Sequence, residues 1–333
     1  MTCDAWLDAD RLISTATPAT TWLGRILRAL LGGESAPAGS TIQTGSSASS
    51  LIAAAGHGSR FPVGQVFLAD VGGVPEVVIS RAVSGDTITP LFNLSAAPTA
   101  GQRLINCHNY FLTDQNSQSL TIQHALAQDN EHQWTVNGCT GSLSIDLARD
   151  SRLSYAFDLQ GARWVGPSAQ SLTVSAGANA LVGPVANVSA VCLLQSLTTS
   201  TRIHVPFHSL SLSIEPGNQH VQELGGAIEG TVGVMRAAAP SVTATLTIRA
   251  DLDQYSLWSD DEDLVLVYAI PVGTGTNRRW TGFVLYCTRE ERPARAEEGI
   301  REMTQLSLRS RHNVMQSAVQ TDLALSPFVI FEG

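Results

Sequence analysis

Strict alternation of apolar and polar positions is the dominant pattern along this chain. Leu210, Leu212 and Ile214 alternate with Ser209, Ser211, Ser213 and Glu215, and Val242, Ala244, Leu246 and Ile248 with Ser241, Thr243, Thr245, Thr247 and Arg249. A period of two predicts half-buried strands with one dry and one wet face. Turn chemistry at Pro216-Gly217-Asn218 separates the two strands, and residues 228–236 predict a weaker strand interrupted by Gly230 and Gly233. The design has an earlier copy. Leu143, Ile145 and Leu147 alternate with Ser142, Ser144 and Asp146, and after a break at Arg149-Asp150-Ser151 so do Leu153, Tyr155, Phe157 and Leu159 with Ser154, Ala156, Asp158 and Gln160. Gly138 and Gly141 precede that hairpin at the spacing of Gly230 and Gly233. Residues 264–311 offer a second match to 119–164, so two registers stay open. Either one predicts two β-modules of related make-up, the pattern of an internal duplication.

Helical periodicity is confined to residues 1–33. Trp22, Leu23, Ile26, Leu27, Leu30 and Leu31 form an apolar stripe that Gly32-Gly33 ends. Such a stripe docks on its own domain, on a neighbour or on a membrane surface. Residues 34–50 are rich in Ser, Gly, Ala and Thr and read as a linker, which would leave the helix free to make a contact between subunits. Further strands are expected at 65–70, 74–83, 87–94 and 103–111, with turns at Gly72-Gly73, Ser84-Gly85-Asp86 and 98–101. Four small polar residues at 198–201 mark a boundary. The expected division is a helix and linker over 1–50, a first β-module over 51–200, and a second β-module with a tail over 201–333. The tail ends in the apolar run Phe328-Val329-Ile330-Phe331, suited to docking on another surface. The fold class is therefore all-β.

Composition narrows the functional classes. Of the 333 residues 44% are apolar, ample for a core, and only 15% are charged, well below the roughly 25% of ordinary globular chains. That balance suits an extracellular domain or a subunit that buries much of its surface in an assembly. A net charge of −9 argues against general affinity for nucleic acid or anionic membranes. Five scattered cysteines (Cys3, Cys107, Cys139, Cys192, Cys287) lack paired metal spacing and read as buried free thiols. No run is long enough to span a bilayer, and Asp4, Asp8 and Asp10 stand where a secretory signal carries basic residues.

No constellation for catalysis emerges. His204 and His208 have the ligand spacing of a helix, but Val205-Pro206-Phe207 between them opposes one. His124 and His132 flank Asp129 and Glu131 in a polar loop, and Asp260-Asp261-Glu262-Asp263 lacks the alternation and turn glycine of a calcium loop. Gly56-His57-Gly58-Ser59 is not a nucleophile elbow, and Gly273-Thr274-Gly275-Thr276 lacks the lysine of a phosphate loop. Asn93 and Asn187 head short glycan-acceptor patterns; Trp134, Trp164, Trp258 and Trp280 read as core or interface anchors. The expectation is a non-enzyme with no catalytic, cofactor-binding or metal-binding residues and no cofactor.

Two stretches carry a resemblance. GCTGSLSIDLARDSRLSYAFDLQG (138–161) has a glycine-led strand, a turn and a Phe-centred strand ending in Gly. SLSLSIEPGNQHVQELGG with EGTVGVMRAAAPSVTATLTI (209–248) has a Ser/Leu strand, a Gly-Asn turn and a long hairpin. Together they resemble the tail tube (major tail) proteins of long-tailed bacteriophages, in the group with two tandem tube modules. The segment 61–110 departs from that group's opening hairpin, and the N-terminal helix is additional. The resemblance implies two tandem sandwich- or barrel-like tube modules, self-assembly into stacked rings, and a channel through which DNA passes without specific binding. Its implied partners are other copies of the chain and the tape measure, tail terminator and distal tail proteins, with no membrane. Its implied location is the virion tail, after synthesis in the bacterial host cytoplasm. Two modules per chain imply a homotrimeric ring with pseudo-sixfold symmetry; one module implies a homohexamer. A lumen that lets DNA slide should be neutral or acidic, with Asp146, Asp158, Glu215 and Glu229 as candidates to line it. The alternatives are a distal tail or baseplate ring component, or a carbohydrate-binding or adhesive β-sandwich module.

Overall fold

Strands with unbroken apolar runs make the centre of the structure, a computed structural model that describes residues 2–5, 22–113, 119–125, 133–148, 153, 155–168, 190–198, 202–222, 231–236, 238–249, 262–272, 279–291, 294–298, 301–311 and 321–333. Leu264–Val272 and Arg279–Arg289 form a hairpin, and Phe328–Glu332 pairs with the second of these strands. From Leu264 to Ile270, Trp280 to Cys287 and Phe328 to Phe331 every residue is buried. A strand covered on both faces needs no alternation, which is why these segments read as continuous apolar sequence. Val191–Ser196, His108–Leu112 and Gly32–Ser35 complete this middle sheet. The apolar run at 328–331 thus docks inside the chain's own sheet. Gly282 lies where the hairpin is tightest: a Cβ there would sit 1.9 Å from the Tyr268 carbonyl oxygen.

The alternating strands form the second layer, in the order Tyr155–Gln160, Gln133–Ala148, Phe207–Glu215, Ser241–Arg249, Arg301–Ser310. Where Cys287, Thr288 and Arg289 pair with Ser310, Arg309 and Leu308, this layer is continuous with the middle sheet, and fifteen strands share one ladder. The sheet folds over on itself, so that Leu143, Ile145, Leu210, Leu212, Ile214, Val242, Leu246, Ile248, Leu306 and Leu308 meet Leu266, Tyr268, Phe283, Leu285 and Phe328 in one dry core. This is sheet-on-sheet packing.

The helix Trp22–Leu31 belongs to that core. Leu23, Leu27, Leu30 and Leu31 have at most 1% exposure, and Gly32, at φ +90°, ends the helix. Of the surfaces such a stripe suits, these four leucines dock on the chain's own sandwich.

A third layer corrects the expected domain division. Residues 34–50 are no free linker, since Gly32–Ser35 pairs with His108–Leu112 and Ser40–Thr41 pairs with Arg103–Asn106. From residue 40 to 106 the chain forms a six-stranded sheet whose end strands meet at an Ile42–Ala53 bridge, closing a small barrel around Phe61, Phe67, Ile88 and Leu104. The barrel is inserted at the end of the 32–35/108–112 stem. Its flank, with Val66, Leu68 and Ile79, packs on Val265, Val267, Val284 and Phe331 of the middle sheet. Arg202 locks it there, with its Nη1 3.1 Å from the Glu76 carboxylate and its other nitrogens donating to the Asn93 and Val77 carbonyls at 2.8 and 3.0 Å. Nor does residue 200 divide two modules. Gln133–Ala148 pairs with Phe207–Glu215, and Val191–Ser196 with Leu264–Val272. The two stretches of similar pattern are neighbouring parts of one sandwich.

Candidate functional site

The outer face of the alternating sheet is a regular polar surface. Burial of every second residue turns the intervening ones outward, and register sets them in rows. Ser144, Ser213, Thr243 and Arg309 align across four strands, as do Asp146, Ser211, Thr245 and Ser307, and then Ala148, Ser209, Thr247 and Gln305. Small hydroxyls fill the centre and charges stand at intervals. Asp146 accepts a 2.6 Å hydrogen bond from Ser211 Oγ, Asp158 and Glu215 are exposed, and Arg309 lies 3.9 Å from Glu290. A shallow open depression of about 390 Å³ lies over Asp146, Ser209, Ser211, Thr245, Thr247 and Gln305. Of the acidic residues expected on the wet faces, Asp146, Asp158 and Glu215 lie on this one; Glu229 lies outside the described residues.

Two arms extend from the same sheet. Gln133–Ala148 is sixteen residues long: its first half pairs with Leu120–Ala125 and Arg163–Ser168, its second half with the sandwich strands. Gly138, at φ +68°, stands where the strand passes from one set of partners to the other. Beyond Pro216-Gly217 the 207–249 hairpin continues as Asn218–Gln222 paired with Thr231–Arg236. The arms touch, with His220 Nε2 2.8 Å from the Gly138 carbonyl oxygen.

The residues weighed for chemistry are scattered. His204 is exposed in an isolated bridge to Leu193, and His208 sits in a strand, so their four-residue spacing makes no helical pair. Asp263 pairs with Arg311 at 2.6 Å. Trp280 is buried and Trp134 half-buried, while Trp258, His132 and residues 273–276 lie outside the described residues. Among the described residues no three His, Cys, Asp or Glu side chains gather as metal ligands, and no helix is long and apolar enough to cross a membrane. Ser40 Oγ and His57 Nδ1 lie 3.0 Å apart, but Ser40 also accepts the Ala54 N–H. The neighbouring carboxylate of Asp86 accepts the backbone N–H groups of Gly58 and Gly56 at 2.9 and 3.0 Å. The glycine motif is thus a turn cradle, with Gly58 so close to Gly85 that a Cβ would lie 1.9 Å from its carbonyl oxygen.

Those amides, Gly58 first, hold the Asp86 carboxyl below its ordinary value of 3.8. A depressed folded value means that the stabilisation is present above the unfolded pKa and is lost as pH falls through the folded one. Melting of the native protein between pH 6 and 2 should therefore show a loss below about pH 4 that Asp86→Asn diminishes. An identical acid limb in both proteins would refute the role.

Cys107, Cys139, Cys192 and Cys287 are all buried and free. Burial pushes the Cys192 thiol up to about 12 and those of Cys107 and Cys287 higher still. Since the thiolate is the nucleophile, these three should resist a thiol-selective disulfide reagent at pH 8 and react only in denaturant. Fast native labelling at any of them, located by peptide mass, would contradict the packing.

Two groupings escaped the sequence reading. Arg202 was one arginine among twenty basic residues, and Glu34, 3.3 Å from the nearby Arg28 Nε, also reaches His108 Nε2 at 2.7 Å, far along the chain. No family model matches the chain, and no curated protein matches it either.

Proposed function

We propose that this chain is a structural subunit that self-assembles into rings of a tube wall like that of a phage tail, with the hydroxyl face turned to the channel. The observation that carries the reading is that face. A five-strand sheet presents rows of Ser and Thr with exposed carboxylates and, at the strand ends, Arg249 and Arg309; it is backed by a dry core and stiffened by two further β layers. Small hydroxyls stay hydrated and offer passing phosphates no cationic anchor. Joining such sheets across subunits through their edge strands, Thr2–Ala5 on one side and Ala294–Glu298 on the other, leaves no open edge that would otherwise aggregate.

The fold bears on stoichiometry. Both similar stretches build one sandwich, so each chain offers one wall sheet, which supports the one-module case, a homohexamer, over the homotrimer. Roughly thirty to forty strands about 4.8 Å apart give a backbone circle roughly 45–85 Å across, depending on strand tilt and on how far the short edge strands run, wider than a DNA duplex. The paired arms leave the sheet along its strand direction and suit contact with the next ring, and the barrel forms an outer layer. That barrel also favours a second reading, in which the ring is a distal tail or baseplate component. Cryo-EM of the assembled protein tests both. Sixfold rings with residues 209–215 and 241–249 facing the channel support the proposal, with long stacks favouring tube and single rings favouring the second reading. Threefold rings, or a channel lined by the barrel, would overturn it.

A further inference from the structure

The outer edge of the wall sheet is covered by the first strand of the chain. Thr2–Ala5 pairs antiparallel with Tyr155–Gln160, placing Thr2 opposite Asp158, Cys3 opposite Phe157, Asp4 opposite Ala156 and Ala5 opposite Tyr155. Its main contact is with that one strand. The strand beneath is an integral part of the sandwich, with Tyr155 and Phe157 fully buried.

We infer that in the assembly Thr2–Ala5 is exchanged, each copy laying this strand on the Tyr155–Gln160 edge of its neighbour. The inference rests on the self-assembly reading and names the partner of the sheet edge as a second copy of this chain. Three observations carry it. First, the pairing is a backbone ladder added to an edge, a mode of recognition that works equally well between chains. Second, residues 6–21 separate the strand from the helix at Trp22; sixteen residues can span at most roughly 50–58 Å, against roughly 24 Å for a five-strand sheet. A neighbouring edge is within reach. Third, an edge left bare in a ring-forming sheet would recruit strands without limit. A strand that covers its own edge in the single chain and the neighbour's in the ring closes the edge in both states at the same register, which is the low-cost route of segment swapping. Adjacency in a ring raises the effective concentration of the neighbour's edge, so that exchange competes with pairing within one chain.

Directly opposed residues of an antiparallel pair lie about 4.5–5.5 Å apart at Cα, within disulfide range. The test is the full chain carrying Asp4→Cys and Ala156→Cys together, with Cys3→Ser to remove the neighbouring thiol. It is assembled, oxidised with copper–phenanthroline, and read on a non-reducing denaturing gel beside light scattering of the native sample. Exchange predicts a ladder of linked chains up to the full ring; pairing within one chain predicts a monomer band. Thr2→Cys with Asp158→Cys uses the same register and serves where the first pair impairs folding. Rings whose crosslinks stay within single chains, or fail to form in both variants, overturn the exchange and leave the assembly reading standing. A sample that remains monomeric at all concentrations overturns both. Linked dimers without rings support the exchange and overturn the ring.

Discussion

Phe283→Ala is expected to destabilise the protein by about 3–5 kcal/mol. The residue has no exposure and lies in the central strand of the middle sheet, between Leu264–Val272 and Phe328–Glu332. Its ring stacks on Tyr268 at 5.4 Å and lies 5.9 Å from Phe328, while Tyr268 meets Phe207 edge-on at 5.6 Å. This string of rings joins the middle sheet to the alternating sheet across the core. Its neighbours are fixed on both sides by hydrogen-bonded strands, so they collapse little into the space left, and the cavity term adds to the lost transfer free energy. Equilibrium unfolding in guanidinium chloride, followed by far-UV dichroism, measures the effect. Phe283→Leu, which keeps most of the volume, should recover more than half. A loss below about 1 kcal/mol for the alanine variant would mean that the two sheets do not meet as described.

Half-buried strands were the most legible part of the sequence. Leu210, Leu212, Ile214, Val242, Ala244, Leu246 and Ile248, the apolar positions of the two cleanest alternations, all have 3% exposure or less. The helix end at Gly32-Gly33 and the turns at 72–73 and 84–86 were legible for the same reason: each is set by a few neighbouring residues. What could not be read was which strand pairs with which. Residue 107 is where the chain leaves the barrel and enters the middle sheet, and nothing in Asn106-Cys107-His108 announces the change. Phe328–Glu332 looked like a sticky tail because a strand buried on both faces carries no period, and its two partners lie roughly 45 and roughly 220 residues away. The similar hairpins at 138–161 and 209–248 suggested two modules because amphipathic strands of one sheet face the same two environments and so share a pattern. Likeness between neighbours in a sheet is not repetition of a domain. The hydroxyl face was legible residue by residue, while its continuity came only with the pairing of strands from both halves of the chain.

Replacing Thr243, Thr245 and Thr247 together by arginine is expected to leave the fold intact and change how the assembly meets DNA. The three lie on the wet face of Ser241–Arg249, with Ala244, Leu246 and Ile248 pointing the other way into the core. Substitutions of this kind cost about 0.5 kcal/mol or less apiece, and Arg side chains can extend over the shallow depression above Ser209 and Gln305. The electrostatic effect is much larger. The wild-type chain carries −9, and its face combines hydroxyls with Asp146, Asp158 and Glu215 against Arg249 and Arg309. In a ring of six, the variant would line the channel with about eighteen added cations, and each phosphate neutralised steepens the dependence of log K on log salt by about 0.9. Wild-type rings should not retain duplex DNA at 50 mM salt; variant rings should retain it, with binding that falls by orders of magnitude towards 200 mM. The shape of the DNA separates a channel from an outer surface. A linear duplex has an end to thread, whereas a covalently closed circle has none. Retention of linear DNA with release of the closed circle places the face inside the ring. Equal retention of both places it outside, and the hydroxyl rows would then be a surface of the particle, not its lumen.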